Sequence, residues 1–281
     1  MPPHPSNLIG NYEQRRFPEC REPTIDTLIW GSKRHHVPIL IEVDVTTARA
    51  LLRAAKLQTG QKISFTSWIV KCVAQAVSEY KSIHAIRHGR RRLIIFDDVD
   101  ISIIVERAVG EADAGETLPM PYIIRQANEK TVAMIHAEIR AAQQQTITPG
   151  DVQISPTQAN WMIKLFSRFP RFVRDLIFWQ PLFRDPFQMK QLMGTVALTV
   201  LAAGGQVGMS WGIPIGIHPL VVAVGAIAQK PGVVDNQIVV REFVGITLLF
   251  DHDVIDGAPV ARFTRRLQQL MANGFGLQAN G

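Results

Sequence analysis

The chain has 281 residues, enough for one or two domains with a full hydrophobic core. Hydrophobic residues make up 47% of it and charged residues 19%, so the composition excludes a wholly disordered protein. Lys and Arg number 30 against 24 Asp and Glu, and the net charge of +6 suits an anionic substrate, an acidic partner or a membrane surface. This excess is too small to indicate nucleic-acid binding.

The cysteines and the N-terminus both bear on the cellular compartment. The cysteines are Cys20 and Cys72, and no Cys/His cluster has zinc-ligand spacing, so we predict neither a disulfide framework nor a metal site. The N-terminal residues lack a charged segment followed by an apolar run, so they do not resemble a secretory signal. We therefore predict a cytoplasmic protein.

Hydrophobic periodicity divides the chain into an arm and one folded domain. Residues 1–34 are rich in proline and charge and have no sustained period, whereas strand-like and helix-like periods alternate over 35–281. This order predicts an α/β fold, a two-layer sandwich of a mixed β-sheet with flanking helices. Strands are expected at 37–45, twice within 90–107, and at 121–125, 194–201, 220–228, 237–240 and 244–250, and helices at 46–55, 64–80, 128–145 and 258–271.

The stretch 191–229 contains no charged residue, which raises the question of a membrane span. Glycines and prolines interrupt it repeatedly, so a buried strand–turn–strand region is favoured over a spanning helix.

An aromatic and basic segment at about 157–190 has a different composition from the rest of the chain. Phe and Trp alternate there with Lys164, Arg168, Arg171, Arg174 and Arg184. The simplest interpretation is an amphipathic helical hairpin whose aromatic face packs on the domain or on a neighbouring subunit. A lid, a hydrophobic acceptor groove and a membrane-surface helix are the functional alternatives.

The most informative motif is H-x-x-x-D-G in FDHDVIDGAPVARF, formed by His252, Asp256 and Gly257. A histidine at a strand end can face a cleft as a neutral general base, because its unperturbed pKa is about 6.5. Asp256 can pair with the imidazole or brace the turn against an arginine, and Gly257 permits a backbone angle or a close approach that other residues do not. The spacing alone leaves these roles open.

Several ordered blocks resemble the catalytic domain of the 2-oxo acid dehydrogenase acyltransferases, the E2 components, which is similar in fold to chloramphenicol acetyltransferase. The resemblance covers roughly residues 30–275 and is interrupted by the aromatic segment. Its blocks are HHVPILIEVDVTTARALL, ISFTSWIVKCVAQAVSEYKSIHA, VDISIIVER, MPYIIRQANEKTVAMI, GTVALT and VVAVGAIAQKPGVVDNQIVVREFVGITLLFDHDVIDGAPVARF.

The resemblance implies acyl transfer between coenzyme A and a thiol or another nucleophile. His252 matches the family's catalytic histidine, and Asp256 matches its structural aspartate, for which Arg21 is the candidate partner. Thr199 in GTVALT matches the hydroxyl residue that donates to the oxyanion of the tetrahedral intermediate, with Ser210 as the substitute.

The resemblance also implies a homotrimer with each active site between two subunits, and larger assemblies of trimers. Basic residues such as Arg125, together with Ser210 and Gly257, are candidates for binding acyl-coenzyme A. No lipoyl-attachment domain is recognisable in this chain, so the acceptor is expected to be a separate lipoyl protein or a hydrophobic acceptor.

One departure from the family lies beside the histidine, where DHR is replaced by Asp251, His252 and Asp253. An added carboxylate is expected to raise the pKa of His252. This change keeps a second hypothesis open, a non-catalytic trimeric scaffold of the same fold that organises partner proteins.

Overall fold

The computed structural model describes residues 10–15, 17, 21–60, 63–108, 117–145, 169–201 and 208–277. Cys20, Lys164 and Arg168, and with them residues 157–168 of the aromatic segment, lie outside these ranges. The strands are β1 His36–Asp44, β2 Ile86–His88, β3 Arg92–Ile94, β4 Ile101–Ala108, β5 Thr117–Ile124, β6 Val196–Val200, β7 Leu220–Val234 and β8 Gln237–Asp251. The helices are α1 Glu22–Gly31, α2 Thr46–Thr59, α3 Phe65–Glu79, α4 Val132–Gln144, α5 Arg171–Arg174, α6 Gln180–Arg184, α7 Pro186–Met193 and α8 Gly257–Ala272, with a 3₁₀ turn at Lys81–His84 and a π-helical turn at Asp175–Trp179.

Six strands form one mixed sheet in the order β1-β8-β7-β6-β4-β5. Strand β6 runs parallel to both of its neighbours, and the other pairs are antiparallel. Helices α3, α4 and α8 pack against the sheet and share one core with it. The predicted fold class, a mixed sheet with flanking helices, is confirmed.

The helices follow their sequence signals closely. Ser64 caps α3 by accepting from the backbone N–H of Ser67, and Thr131 caps α4 in the same way through the N–H of Met134. The buried face of α8 carries the predicted Val260, Phe263, Leu267 and Leu270. No described helix is long and apolar enough to span a membrane.

The long hairpin of β7 and β8 differs from the prediction, which ended the first strand at 228 and divided the second. Both strands continue to a two-residue turn at Asp235 and Asn236, whose φ angles are 49° and 60°. Turns of this kind favour Asn and Asp and match the twist of the flanking strands. Because the outer halves of both strands are largely exposed, their hydrophobic pattern is weaker than that of the inner halves.

The predicted arm also contains structure that its composition did not show. Helix α1 lies within it and packs against the second half of the aromatic segment through Trp30, which stacks on Phe183 with 4.8 Å between ring centroids. Residues Trp179, Leu182 and Met189 complete this second, smaller hydrophobic cluster. Both regions are therefore ordered by packing on each other.

Candidate active site

His252 lies immediately after β8, at the point where the sheet ends. Asp251 pairs with His36 in the ladder between β8 and β1, and the chain turns directly afterwards. The backbone N–H of His252 donates to the carbonyl oxygen of His35 at 3.0 Å, which fixes the backbone of the histidine against β1. Its side chain is exposed, so the imidazole is accessible to an incoming nucleophile.

A buried ion pair lies directly behind the histidine. The Nη1 atom of Arg34 is 3.0 Å from Oδ2 of Asp251, and the side chains are 19% and 1% exposed. The other carboxylate oxygen accepts from the backbone N–H of Asp253 at 3.2 Å. Asp251 therefore ties together the end of β8, the residue after His252 and the segment that precedes β1.

Asp253, which replaces the family's arginine, pairs with a histidine other than His252. Its Oδ1 atom is 2.9 Å from Nδ1 of His35, and both side chains are largely exposed. The substituted carboxylate thus joins the turn to the residue before β1, and its interaction with solvent keeps the energy of this pair small.

Asp256 and Gly257 begin α8, and both are exposed. The Asp256 side chain forms no hydrogen bond or ion pair within the described residues, so the expected contact with Arg21 is absent from this protomer. Arg21 precedes α1, about one helix length from the strand, whereas Arg34 follows that helix and stands next to the end of β8. Arg34 and Asp251 form the brace that was predicted for Arg21 and Asp256.

The glycine of the motif is not required by the geometry of a single protomer. Gly257 has no positive φ, and an added Cβ would meet nothing within 4 Å. The predicted special backbone angle is therefore wrong for this structure. A close approach by a neighbouring subunit or a substrate stays a prediction.

Thr199 is half-buried in β6, which pairs with β7 and is separated by that strand from β8, the strand that precedes His252. It is paired with Ala223, which in turn is paired with Thr247. Five residues of extended chain separate Thr247 from His252, a distance on the order of 16 Å. One protomer therefore does not bring the threonine and the histidine together.

Ser210 lies on the same part of the sheet as Thr199. Its Oγ accepts from the backbone N–H of Ala226 at 3.3 Å. The carbonyl oxygen of Ser210 would lie 1.8 Å from a Cβ on Gly225, so only glycine allows this loop to pack so closely on β7.

Arg125 follows β5, and its guanidinium is already engaged. It donates to Oδ2 of Asp100 at 3.0 Å and to the carbonyl oxygens of Lys190 and Gln191, which ties the end of α7 to the sheet. Its proposed contact with coenzyme A stays a prediction.

The described residues contain no group of three or more His, Cys, Asp or Glu side chains that could hold a metal ion. The residues of the candidate site that sequence reasoning missed are Arg34 and His35, which contact Asp251 and Asp253. Their position directly before β1 was visible, but their partners became clear only from the antiparallel register of β1 and β8.

A mixed sheet that presents an exposed histidine at a strand end, with a buried arginine–aspartate pair behind it, defines a candidate general-base site. A histidine in such a position is chemically able to exchange a proton with a reacting group, as in group-transfer enzymes.

Comparison with known proteins identifies the family. The family model for the catalytic domain of 2-oxoacid dehydrogenase acyltransferases matches residues 11–154 and 188–277, and the chain belongs to this family. The matched ranges begin within the predicted arm and leave out residues 155–187.

Individual relatives agree with this assignment. Over 278 residues the chain is 23% identical to the dihydrolipoyllysine-residue acetyltransferase component of the pyruvate dehydrogenase complex of Staphylococcus aureus, covering 95% of this chain and 54% of that protein. It is 27% identical over 241 residues to the lipoamide acyltransferase component of the branched-chain alpha-keto acid dehydrogenase complex of Bacillus subtilis, covering 84% and 46%. The chain thus spans about half the length of the curated relatives it matches. The crystal structure of a probable dihydrolipoamide acetyltransferase from Listeria monocytogenes shares the fold, with a TM-score of 0.65, 20% identity and coverage of 97% and 98%.

Proposed function

We propose that this protein is an acyltransferase that moves an acyl group between coenzyme A and a thiol, such as a dihydrolipoyl group on a separate protein, or another nucleophilic acceptor. The observation that carries the proposal is the exposed imidazole of His252 at the end of β8, fixed through its backbone and backed by a buried ion pair. Family membership supplies the type of reaction.

In the proposed reaction His252 acts as the general base. Its imidazole takes the proton of the acceptor thiol as the sulfur attacks the thioester carbonyl carbon, and it returns that proton to the departing thiolate. Arg34 and His35 act as positioning residues, because they hold Asp251, Asp253 and the backbone of His252 without an expected contact to the substrate.

Thr199 is the proposed donor to the carbonyl oxygen that becomes negative, with Ser210 as the alternative. Since Thr199 lies far from His252 within one protomer, the donor is assigned to the neighbouring subunit. This separation supports the homotrimer that the resemblance implies, with each site built from two protomers. Assembly of trimers into larger particles belongs to the same proposal.

Coenzyme A has a thiol end and a phosphate end, and the described residues suit these two ends differently. At the reacting end, the exposed imidazole of His252 suits a thiol or thioester. At the phosphate end, Arg125 has little capacity to bind a phosphate, because its guanidinium already donates to Asp100 and to two carbonyl oxygens. The phosphate contacts are therefore expected from other residues or from the neighbouring subunit. Cytoplasmic location is also part of this proposal.

A non-catalytic trimeric scaffold is the alternative, and its support was the carboxylate of Asp253 beside the histidine. In the structure that carboxylate turns to His35. The substitution therefore does not favour the scaffold over the enzyme.

The direct test is release of free thiol from a panel of acyl-coenzyme A thioesters, with dihydrolipoamide and other acceptors. His252→Ala should lower turnover by about 10²–10⁴-fold, the usual contribution of general-base catalysis. His88→Ala is the matched control, since it removes a histidine from the separate β2–β3 hairpin.

Turnover that persists in His252→Ala would exclude the proposed base. A wild-type protein that assembles as a trimer but neither binds coenzyme A nor releases thiol would instead establish the scaffold. The acceptor that gives the highest kcat/KM identifies the acceptor class.

A further inference from the structure

The helical run 171–184, here called the insertion helix, presents an apolar side to solvent. Phe172, Leu176 and Ile177 are 73%, 64% and 65% exposed, and Phe169 precedes them at 37%. Phe172, Leu176 and Ile177 share the solvent side of the helix, and Phe169 lies just before its first residue. We call these four residues the apolar stripe.

The opposite side of the same helix buries an arginine. Arg174 is 5% exposed, and its guanidinium donates to both carboxylate oxygens of Asp26 at 2.7 and 3.0 Å and to Glu22 at 2.9 Å. Trp179 also donates its indole N–H to Asp26, at 3.2 Å. The inner side of the helix thus combines this buried arginine with the hydrophobic cluster of Trp179 and Leu182, while Phe172, Leu176 and Ile177 face solvent.

The buried pairs fix the rotation of the insertion helix. Turning the apolar stripe inward would separate Arg174 from Asp26 and leave the carboxylate of Asp26 buried without its partner, which is strongly unfavourable. The outward position of the stripe is therefore maintained by the fold. The insertion helix also lies within residues 155–187, so the stripe is outside the residues that the family model matches.

The size and charge of the stripe indicate what covers it. A standard protein interface uses about 20–30 residues a side, far more than this group of four, whereas an interfacial helix needs only one apolar side buried about 5–10 Å into the headgroup region. Arg171 and Arg184 lie at the two ends of the helix and are exposed. Arg171 is 3.9 Å from a carboxylate oxygen of Asp175, whereas Arg184 forms no ion pair within the described ranges. Asp175 also accepts from the indole of Trp30, and Asp185 caps α7.

We propose that the apolar stripe, flanked by these two arginines, docks on an anionic lipid surface and holds the protein at the membrane interface. The insertion helix lies parallel to that surface, with Phe172, Leu176 and Ile177 among the headgroups and acyl chains. This inference is independent of acyl transfer, because it concerns binding alone.

The test is co-sedimentation of the full chain with vesicles of phosphatidylcholine, with and without phosphatidylglycerol. Wild type should bind the vesicles that contain phosphatidylglycerol. The triple variant Phe172→Ser, Leu176→Ser, Ile177→Ser should bind at least about tenfold more weakly, since withdrawing even one such side chain from water is worth about tenfold or more in a binding constant.

The matched control is Val233→Ser, Ile238→Ser, Val240→Ser, which removes three apolar side chains that are 74%, 79% and 69% exposed at the tip of the β7–β8 hairpin. It should bind like wild type. Arg171→Glu with Arg184→Glu should abolish the preference for phosphatidylglycerol and leaves the stripe intact, so it tests the proposal even if the triple variant folds poorly.

Three results would overturn the proposal. Wild type that stays in the supernatant with both vesicles excludes lipid docking. Equal loss of vesicle binding in the stripe variant and the hairpin variant shows that exposed apolar side chains bind the vesicles nonspecifically. A stripe variant that sediments as a smaller assembly without vesicles, while its vesicle binding persists, assigns the stripe to contact between copies of the chain.

Discussion

The turn 251–257 and the insertion helix are each fixed by an arginine–aspartate ion pair, but they expose opposite kinds of side chain to solvent. The pairs are Arg34 with Asp251 and Arg174 with Asp26, and the carboxylate of each pair is almost completely buried. Each pair has one member in the segment 22–34. Helix α1 and the residues after it therefore orient both regions.

The two regions differ in what they present to solvent. The turn exposes a polar imidazole beside the end of a sheet, and the insertion helix exposes the apolar stripe while burying a guanidinium. The comparison shows that burial of an ion pair can select which side of an element faces outward. It also predicts that loosening the N-terminal segment affects both regions.

The largest expected effect is at the insertion helix. Arg174→Met leaves the carboxylate of Asp26, which is 1% exposed, without its guanidinium, and should lower the free energy of unfolding by about 3–5 kcal/mol in chemical denaturation. Adding Asp26→Leu removes the orphaned charge and should restore part of that loss. A loss below about 1 kcal/mol in Arg174→Met would show that the pair does not fix the helix.

A smaller effect is expected at the turn. Arg34→Gln should lower kcat about tenfold to a hundredfold with little change in KM, because a misplaced base loses alignment with the nucleophile. Arg34→Lys keeps the charge and should recover part of the activity. Arg266→Gln, which breaks the partly exposed ion pair with Glu79, is the matched control and should be near wild type. An equal, small effect of both Gln variants would remove the positioning role of Arg34.

The smallest effect concerns the place where the two regions meet. His218 donates its Nε2–H to the carbonyl oxygen of Met193, at the end of α7. Its own carbonyl oxygen accepts from Nε2 of His36, at the start of β1. Burial lowers the pKa of His218 to about 4, and it also lowers the pKa of His84 to about 4. Both pKa values lie below that of a histidine in the unfolded chain, so these two imidazoles resist protonation in the folded state.

Stability should therefore be greatest above about pH 6.5 and fall as the pH drops from about 6.5 to 4, because the unfolded chain then binds protons that the two buried histidines do not. Below that window both states are protonated and the loss levels off. Denaturation at several pH values measures the slope, and His84→Gln should reduce it by about one histidine's share. A stability that rises on acidification through this window would contradict the assignment.

Much of the fold could be predicted from the sequence because its strands and helices carry regular patterns. The strand beginning near Val37, the helix predicted over 64–80 and the amphipathic α8 are confirmed. Helix α1 could not be recognised, since it is ordered by packing on the insertion helix. The full length of β8 was missed because its exposed outer half lacks a buried face.

The site was predictable in part. The sequence motif indicated His252, and the structure places it exposed at a strand end. The partner of the neighbouring carboxylate was not predictable, because Arg34 meets Asp251 only through the register of β1 on β8, across 217 residues of chain. The roles of Asp256, Thr199, Ser210, Arg125 and Gly257 in binding or catalysis stay predictions.

The central claim, that His252 of one protomer acts with Thr199 of its neighbour, is tested most directly by mixing two inactive variants. His252→Ala and Thr199→Val are each purified, unfolded together in equal amounts and reassembled. Random mixing in a cyclic trimer should restore about a quarter of the sites and hence about a quarter of wild-type thiol release. Recovery near that level supports the shared site, and a mixture no more active than the two variants alone would contradict it.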